Sequence, residues 1–403
     1  MRIGKFVENN DISIDSIRHY MDMGLIVPDK KGGQYYFDER CQKDLEDILN
    51  LKSLGFALKE IKYIFAYKRI AKFTHYQQHE HYKEFFINKQ NDVLKEIQEL
   101  NNIKDRLEEK IKELNEKDQK ENLTIGIDFK YLNLFRCLKC NGELVLCDGS
   151  IKNNQIITGK LKCNCGEEYF IEDGILKDGE ASNNWGFDIN YISEYVTDTD
   201  SDYLDKIYRG LEWSHNKIDF EECKGKVILE LGSGMGVFLR HVYDSLPEDC
   251  LYIAVDHDMG RHKFLKKVLE KADCKRNVIL ICSDFLKIPL KEKSADIIVD
   301  FSGSSNYSFK HEEFLLRKID KYTKDKGQLI GCYILFKNFS ENTLIKEKCR
   351  KNFTMENIKK EIDELKYTIV DENISSYLEK GGKYESYFVE GEKVYCYIVH
   401  GER

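Results

Sequence analysis

"KVILELGSGMGVFLRHV" (226–242) decides the fold of the larger half of the chain. An apolar run, Val227 to Leu231, enters a turn carrying Gly232, Gly234 and Gly236, and the turn enters an apolar-periodic segment. That order predicts a buried strand, a tight loop and a helix, the opening unit of a doubly wound α/β domain. A ligand can approach such a loop closely because glycine has no Cβ to collide with it. Further runs follow the same plan: "LYIAVDHD" (251–258) ends near Asp256, "NVILICSDFLKIPL" (277–290) passes through Asp284, and "ADIIVDFSG" (295–303) contains Asp300. "GQLIGCYILF" (327–336) adds a fifth strand and "KVYCYIVHG" (393–401) a last one. A carboxylate at the end of the second strand can accept both hydroxyls of a ribose.

Nicotinamide-binding folds open in the same way, and three details separate the readings. The turn is E-L-G-S-G-M-G, without the later glycine of G-x-G-x-x-G. Glu230 precedes it, a charge suited to an ammonium group rather than a pyrophosphate. "CSDF" followed by "IPL" lies where an adenine must be held. Together these residues resemble the class I S-adenosylmethionine-dependent methyltransferases over residues 183–403. The resemblance implies that Glu230 meets the methionine end of S-adenosylmethionine and that Gly232, Gly234 and Gly236 line it. It implies that Asp256 binds the ribose and that Asp284 and the backbone of Phe285 hold the adenine.

After the fourth strand, methyltransferases acting on amino groups of DNA bases or glutamine carry [D/N]-P-P-[Y/F]. This chain has "DFSGSSNYSF" (300–309), which disfavours adenine methylation, and the absence of cysteine there disfavours attack on cytosine. The segment resembles the small-molecule branch, in which proximity and orientation supply most of the catalysis. Asp300, Asn306 and Tyr307 are the substrate-side candidates. The aromatic stretch 185–213 is either a lid over the pocket or a packed extension.

Upstream, "FRCLKCNGELVL" (135–146) and "LKCNCGEEYF" (161–170) place Cys137-x2-Cys140 against Cys163-x-Cys165, each pair with a glycine beside it. Four thiolates on two knuckles match a tetrahedral structural zinc site, with no position left open for catalytic water. A metal-free ribbon and a disulfide are the alternatives, the latter disfavoured if the thiols are kept reduced. The pattern, with its tail "YFIEDGIL", resembles the zinc ribbons found beside methyltransferases, except that the second knuckle is one residue short.

The first residues read differently. "ISIDSIRHYMDMG" (12–24) starts a helix capped by Ser13 and ended by Gly24, after a short helix broken at "NND". "LIVPDKKGGQYYF" reads as a two-stranded wing, and helices are expected at 39–54 and 58–66. The blocks "IGKF", "IRHYMDMGLIVP", "GGQYYFDE" and "LKSLGFALKEIKYI" resemble the MerR-type transcription regulators over about 1–70. The resemblance implies DNA contacts by Arg18 and Tyr20 and phosphate contacts by Lys30 and Lys31. Gln34 stands where such wings usually carry arginine, and acidic and basic residues nearly balance over 1–70, so affinity should lean on a dimer.

Residues 83–118 supply the means for one. Val93, Ile97, Leu100, Ile103, Leu107, Ile111 and Leu114 recur at three- and four-residue steps, the seam of an antiparallel two-helix coil. His75, His79 and His81 precede it without nearby cysteines, which argues against a metal sensor and for surface helix residues.

Composition fits this division. A formal charge of −8 gives no global attraction to nucleic acid, so DNA binding must come from a local face. No apolar run approaches a bilayer's thickness, and 13 cysteines without a secretion mark suit reduced thiols in a cytoplasm. The expected chain is multidomain: a helical winged helix-turn-helix at 1–75, a coiled-coil dimerisation helix at 76–120, a small β zinc ribbon at 131–178 and a Rossmann-like methyltransferase domain at 183–403. The expected partners are promoter DNA, a small-molecule methyl acceptor and a second copy of the chain, with no membrane. The expected function is a cytoplasmic DNA-binding regulator carrying a methyltransferase. The alternatives are a sensor that binds S-adenosylmethionine or a metabolite without catalysis, and an RNA methyltransferase.

Overall fold

The computed structural model describes residues 1–70, 75–117, 123–177 and 191–403. The chain divides into two compact units, Met1–Gln119 and Lys120–Arg403. Among the described residues no helix is long and apolar enough to cross a membrane.

In the first unit, α1 (Ile3–Asn10) ends at Asp11 in the left-handed region, and α2 (Ile14–Asp22) starts where the Ser13 side chain accepts the Ser16 N–H. Strands β1 (Asp29–Lys31) and β2 (Gln34–Tyr36) pair antiparallel, with Gly32 and Gly33 both at positive φ between them. That turn geometry matches the right-handed twist of a hairpin. Helices α3 (Glu39–Ser53) and α4 (Leu58–Ile70) follow, the first capped by Asp38. Phe6, Ile17, Tyr20, Leu25, Phe37, Leu45, Ile61 and Ile64 form the core, with Phe6 and Phe37 stacked at 4.4 Å. Helix α5 (His75–Lys117) packs Tyr82, Phe85 and Phe86 against that core. Beyond them its apolar seam is uncovered, from Val93 at 41% exposure to Leu107 at 59%.

The second unit begins with β3 (Ile127–Asp128) and a short 3-10 helix, Phe129–Leu134. The hairpin of β4 (Leu144–Lys152) and β5 (Gln155–Cys163) turns at Asn153 and Asn154, both at positive φ. Strands β6 (Glu168–Glu172) and β7 (Ile175–Lys177) are joined by Asp173-Gly174, again at positive φ. Helices α6 (Tyr191–Asp198) and α7 (Ser201–His215) lead into β8 (Val227–Leu231), α8 (Val237–Val242), β9 (Leu251–Asp256), α9 (Met259–Glu270) and β10 (Asn277–Cys282). Then come β11 (Ala295–Phe301), α10 (Gly303–Ser308), α11 (Leu315–Ile319), β12 (Thr323–Phe336), α12 (Met355–Glu364), β13 (Thr368–Ile374) and β14 (Val394–Glu402).

The main sheet runs β13-β14-β12-β11-β8-β9-β10-β7-β6-β5-β3, with β4 also paired to β5. Strands β8 to β12 are parallel to their neighbours within that set, and β14 runs antiparallel beside β12. One face is covered by Leu211, Phe238, Leu239, Leu265 and Leu269, the other by Phe314, Leu315, Ile358 and Ile362. Burial on both faces explains why these strands read as continuous apolar runs.

Two features depart from the expectation drawn from sequence. Strand β13, "TIVDENI", was not anticipated; it lies at the sheet edge with alternating exposed residues and no continuous apolar run. The cysteine ribbon is not set apart from the α/β sheet: β7 pairs with β10, so the boundary near residue 180 divides the sequence but not the sheet. Of the aromatic stretch 185–213, residues 185–190 lie outside the described residues. The remainder forms α6 and most of α7, with Tyr203 and Leu211 buried.

Candidate functional site

The strand order reverses at β8, whose neighbours are β9 and β11, and each parallel strand ends at the same rim. Ligands of open α/β sheets bind at such a switch point. The loop after β8 occupies it, with Gly232, Gly234 and Gly236 all at positive φ. Gly236 has a second reason to be glycine: a Cβ there would lie 2.3 Å from Leu265 Cδ1, so the leucine on α9 would have to shift.

Glu230 lies under this loop at 2% exposure. Its Oε2 accepts the Tyr252 hydroxyl at 3.0 Å. Burial pushes its carboxyl up to about 8, against the opposing effect of that hydrogen bond. A cationic group delivered to the site would favour the charged form. Ser233 Oγ is also buried, without a hydrogen-bond partner in the protein.

Asp256 ends β9, and backbone groups occupy both its oxygens. Gly234 N–H donates to Oδ2 and Asp258 N–H to Oδ1, each at 2.9 Å. The carboxylate thus shapes the glycine loop and the start of α9, and a ribose would share its remaining lone pairs. Asp284 is exposed and accepts the Leu286 N–H at 3.0 Å. Phe285 is half-buried, its ring 3.4 Å from the point a Cβ on Gly232 would occupy. The six residues assigned to the cleft around Glu230 and the glycines therefore converge on one rim, with Phe285 across it.

The substrate-side candidates separate. Asp300 is wholly buried; its Oδ1 accepts the Ser304 N–H at 2.7 Å, and burial raises its carboxyl to about 6. It holds the start of α10 from beneath and does not face the cleft opening. The reason is local: Ser302 takes φ +70 and turns the chain back over the strand end. Asn306 on α10 is exposed, and Tyr307 is half-buried, stacked on His311 at 4.0 Å.

The four ribbon cysteines come together, their sulfurs all within 4.8 Å of one another. Cys137 Sγ lies 3.5 Å from Cys165 Sγ, and Cys140 Sγ 3.3 Å from Cys163 Sγ. Each close contact joins one knuckle to the other, and none is bonded as a disulfide. A Cβ on Gly142 would stand 3.1 Å and 3.2 Å from the Cys163 and Cys140 sulfurs, so glycine makes the approach possible. Backbone N–H groups of Cys140 and Lys139 help lower Cys137 to about 7 in spite of burial. The short C-x-C knuckle does not prevent convergence; it turns at Gly166, at φ +96, whose N–H donates to Cys163 O at 2.9 Å. Tyr169, overlooked in the sequence, accepts the Leu138 N–H at 2.7 Å and donates to Cys137 Sγ at 3.8 Å.

On the first unit, the Arg18 side chain is 66% exposed and pairs with Asp15. Tyr20 is turned inward at 3% exposure, where its hydroxyl accepts from Lys52 Nζ at 3.3 Å. Its spacing of three from Ile17 puts it on the buried stripe, so His19, exposed beside Arg18, takes the outward position instead. Lys30 and Lys31 are exposed on β1, Lys30 over the Tyr35 ring. His75 and His79 have side chains outside the described ones; His81 faces Glu84 at 3.5 Å.

Two family models match the chain: the MerR HTH family regulatory proteins over residues 1–68 and the methyltransferase domain over 222–391. No curated protein matches it. Solved structures similar to it include a SAM-dependent methyltransferase from Aquifex aeolicus, 18% identical, covering 54% of this chain and 98% of that one, with TM-score 0.35. A putative methyltransferase from Bacillus halodurans is 9% identical, covering 49% and 98%, with TM-score 0.36. TYW2 of M. jannaschii, solved in complex with AdoMet, is 15% identical, covering 66% and 94%, with TM-score 0.31.

Proposed function

We infer that this chain, which joins a MerR-type helix-turn-helix domain to an S-adenosylmethionine-dependent methyltransferase domain, methylates a small-molecule acceptor and reports that chemistry to a promoter. The observation that carries the cofactor assignment is Glu230, a buried carboxyl beneath a glycine turn at the switch point of the sheet. A protonated amino group would supply the charge that this position lacks. Gly232, Gly234 and Gly236 would line the methionine end, Asp256 would meet the ribose, and Asp284 with the Phe285 backbone would hold the adenine. The cofactor contributes an electrophilic methyl group. The chain's own task is to exclude water and align the acceptor, with exposed Asn306 and half-buried Tyr307 on that side and Asp300 fixing the helix that carries them.

The ribbon cysteines suit Zn2+: four sulfurs on two glycine-backed knuckles, all within 4.8 Å of one another, form the donor set of a tetrahedral thiolate site. The uncovered seam of α5 supports a homodimer, and with it a two-fold DNA site read by Arg18 and steadied by Lys30 and Lys31. Gln34 in the wing leaves one phosphate contact fewer, so the second copy matters more here.

Incubation of the full chain with methyl-labelled S-adenosylmethionine and cell extract tests the enzyme directly. A labelled small molecule supports the proposal. Tight cofactor binding with no labelled product would leave a sensor, and label in RNA would move the acceptor to nucleic acid. Enrichment of a two-fold site from random duplex DNA tests the regulatory half.

A further inference from the structure

The cysteine cluster and the proposed adenine loop belong to one closed circuit of backbone and side-chain contacts. On the entry side, Ile175, Leu176 and Lys177 of β7 pair in parallel with Leu280, Ile281 and Cys282 of β10, and the loop begins at the next residue. On the exit side, Arg136 N–H donates to Pro289 O at 3.0 Å and Lys291 N–H to Leu134 O at 2.7 Å, around a Phe135–Leu290 bridge. Residues 283–288 are thus held at both ends by the ribbon. Within them, Ser283 Oγ donates to Lys287 O at 2.7 Å and Lys287 N–H to Asp284 O at 2.9 Å.

The two ends belong to different halves of the ribbon. The exit-side segment runs directly into Cys137 and the first knuckle. The entry-side strand follows β6, which follows the second knuckle, and its turn is fastened to α9 by Lys266 and Asp173 at 2.6 Å. Both close sulfur contacts, Cys137 to Cys165 and Cys140 to Cys163, cross between the halves. Tyr169 adds a third crossing. The β4–β5–β6–β7 pairing already joins the two halves, so whatever holds the four sulfurs together stiffens the ring that frames the loop, and whatever parts them loosens it.

We propose that the four-cysteine cluster controls the cofactor site, such that Zn2+ bound by Cys137, Cys140, Cys163 and Cys165 tightens S-adenosylmethionine binding through the Ser283–Ile288 loop. The proposal rests on the cofactor and zinc assignments made above. Coupling between two sites is reciprocal, so the cofactor must raise zinc affinity by the same factor. A factor of roughly ten is expected, toward the lower end of the range for coupled sites. The zinc then acts on the adenine end of the ligand and leaves Glu230 and the glycine turn as they are.

The experiment compares full-length chain loaded with zinc against chain stripped by a chelator under reducing conditions. S-adenosylmethionine affinity is measured by titration calorimetry, and circular dichroism checks that the stripped chain stays folded. The expected result is roughly tenfold weaker cofactor binding without zinc. In the reciprocal measurement, zinc loss to a competing chelator is followed with and without saturating S-adenosylmethionine, and the cofactor should slow and weaken it correspondingly. This arm uses only wild-type protein that starts folded. Equal cofactor affinity in both forms, or zinc retention indifferent to cofactor, would overturn the coupling alone. Failure to take up zinc would overturn it together with the metal assignment, and failure of both forms to bind cofactor together with the cofactor assignment.

Discussion

Helix α5 and strands β8 to β11 carry comparably regular apolar patterns, yet they end in opposite circumstances. Ile228, Leu229, Ile253, Ile279 and Ile298 are all at 1% exposure or less, buried between two layers of helices. Val93, Leu100, Leu107 and Leu114 are each more than two-fifths exposed. The sheet finds every surface it needs within its own unit. Within its own unit the helix finds partners only for its first turns, where Tyr82, Phe85 and Phe86 dock, and the seam beyond them stays exposed. Apolar periodicity specifies that a face is to be buried, and it leaves open whether the cover comes from the same chain.

Four measurements would break or sharpen that contrast. The strongest attacks the self-sufficient core. Phe238 is 1% exposed and packs on Phe301 with ring centroids 5.6 Å apart. Phe238→Ala should cost the second unit about 3–5 kcal/mol. Both tryptophans, Trp185 and Trp213, belong to that unit, so fluorescence-detected urea unfolding follows it selectively. A loss below about 1 kcal/mol would mean the core repacks freely.

Next comes the seam. Leu100→Asp with Leu107→Asp should weaken the dimer by on the order of 100-fold or more, because each leucine is worth about 1.5–3 kcal/mol when buried. Sedimentation should show half the wild-type mass, while the fluorescence-detected transition of the second unit stays put. A wild-type chain that sediments as a monomer would instead assign the seam to another partner.

The third measurement uses pH. Glu230 has its carboxyl raised from an ordinary 4.5 to about 8 by burial, so folding takes up a proton between those values. Stability from this group is therefore present at low pH and lost as pH rises toward 8. Asp300, raised to about 6, has the same sign but is spent below that. The stability difference between wild type and Glu230→Gln should shift against wild type by about 2 kcal/mol from pH 6.5 to 8, at about 1.4 kcal/mol per pH unit. A flat difference would show that the carboxyl is already charged. The smallest effect belongs to the head, where Ser13→Ala removes the cap on α2 and should cost about 1 kcal/mol, read as faster amide exchange along that helix.

Much of the molecule was legible before its structure. The glycine turn, the apolar runs of β8 to β12 and β14, the capped helix after Ser13 and the paired knuckles are local signals, each complete within a dozen residues. Burial on both sheet faces made the runs continuous, and continuity is easy to read. Strand β13 was missed because an edge strand with one wet face carries no such run. Tyr20 was misplaced because neighbours on one helix differ by about a third of a turn, and only the three-residue spacing from Ile17 tells inside from outside. Asp300 reads as a rim carboxylate until Ser302 is seen to fold the chain over it.

The sequence by itself determined the kinds of local structure and the residue chemistry available: a glycine loop below a carboxylate, four thiols in two pairs, an apolar seam on a polar helix. Tertiary structure decided their company. It placed β7 beside β10, gave both oxygens of Asp256 to the backbone, brought Cys137 to Cys165, and left α5 uncovered. The physical reason is range. Helix caps, turns and apolar periods are set by neighbours a few residues away. Strand pairing and side-chain burial depend on segments far apart in the chain, 22 residues between Gly234 and Asp256, 28 between Cys137 and Cys165 and still more between β7 and β10, whose meeting no local pattern encodes.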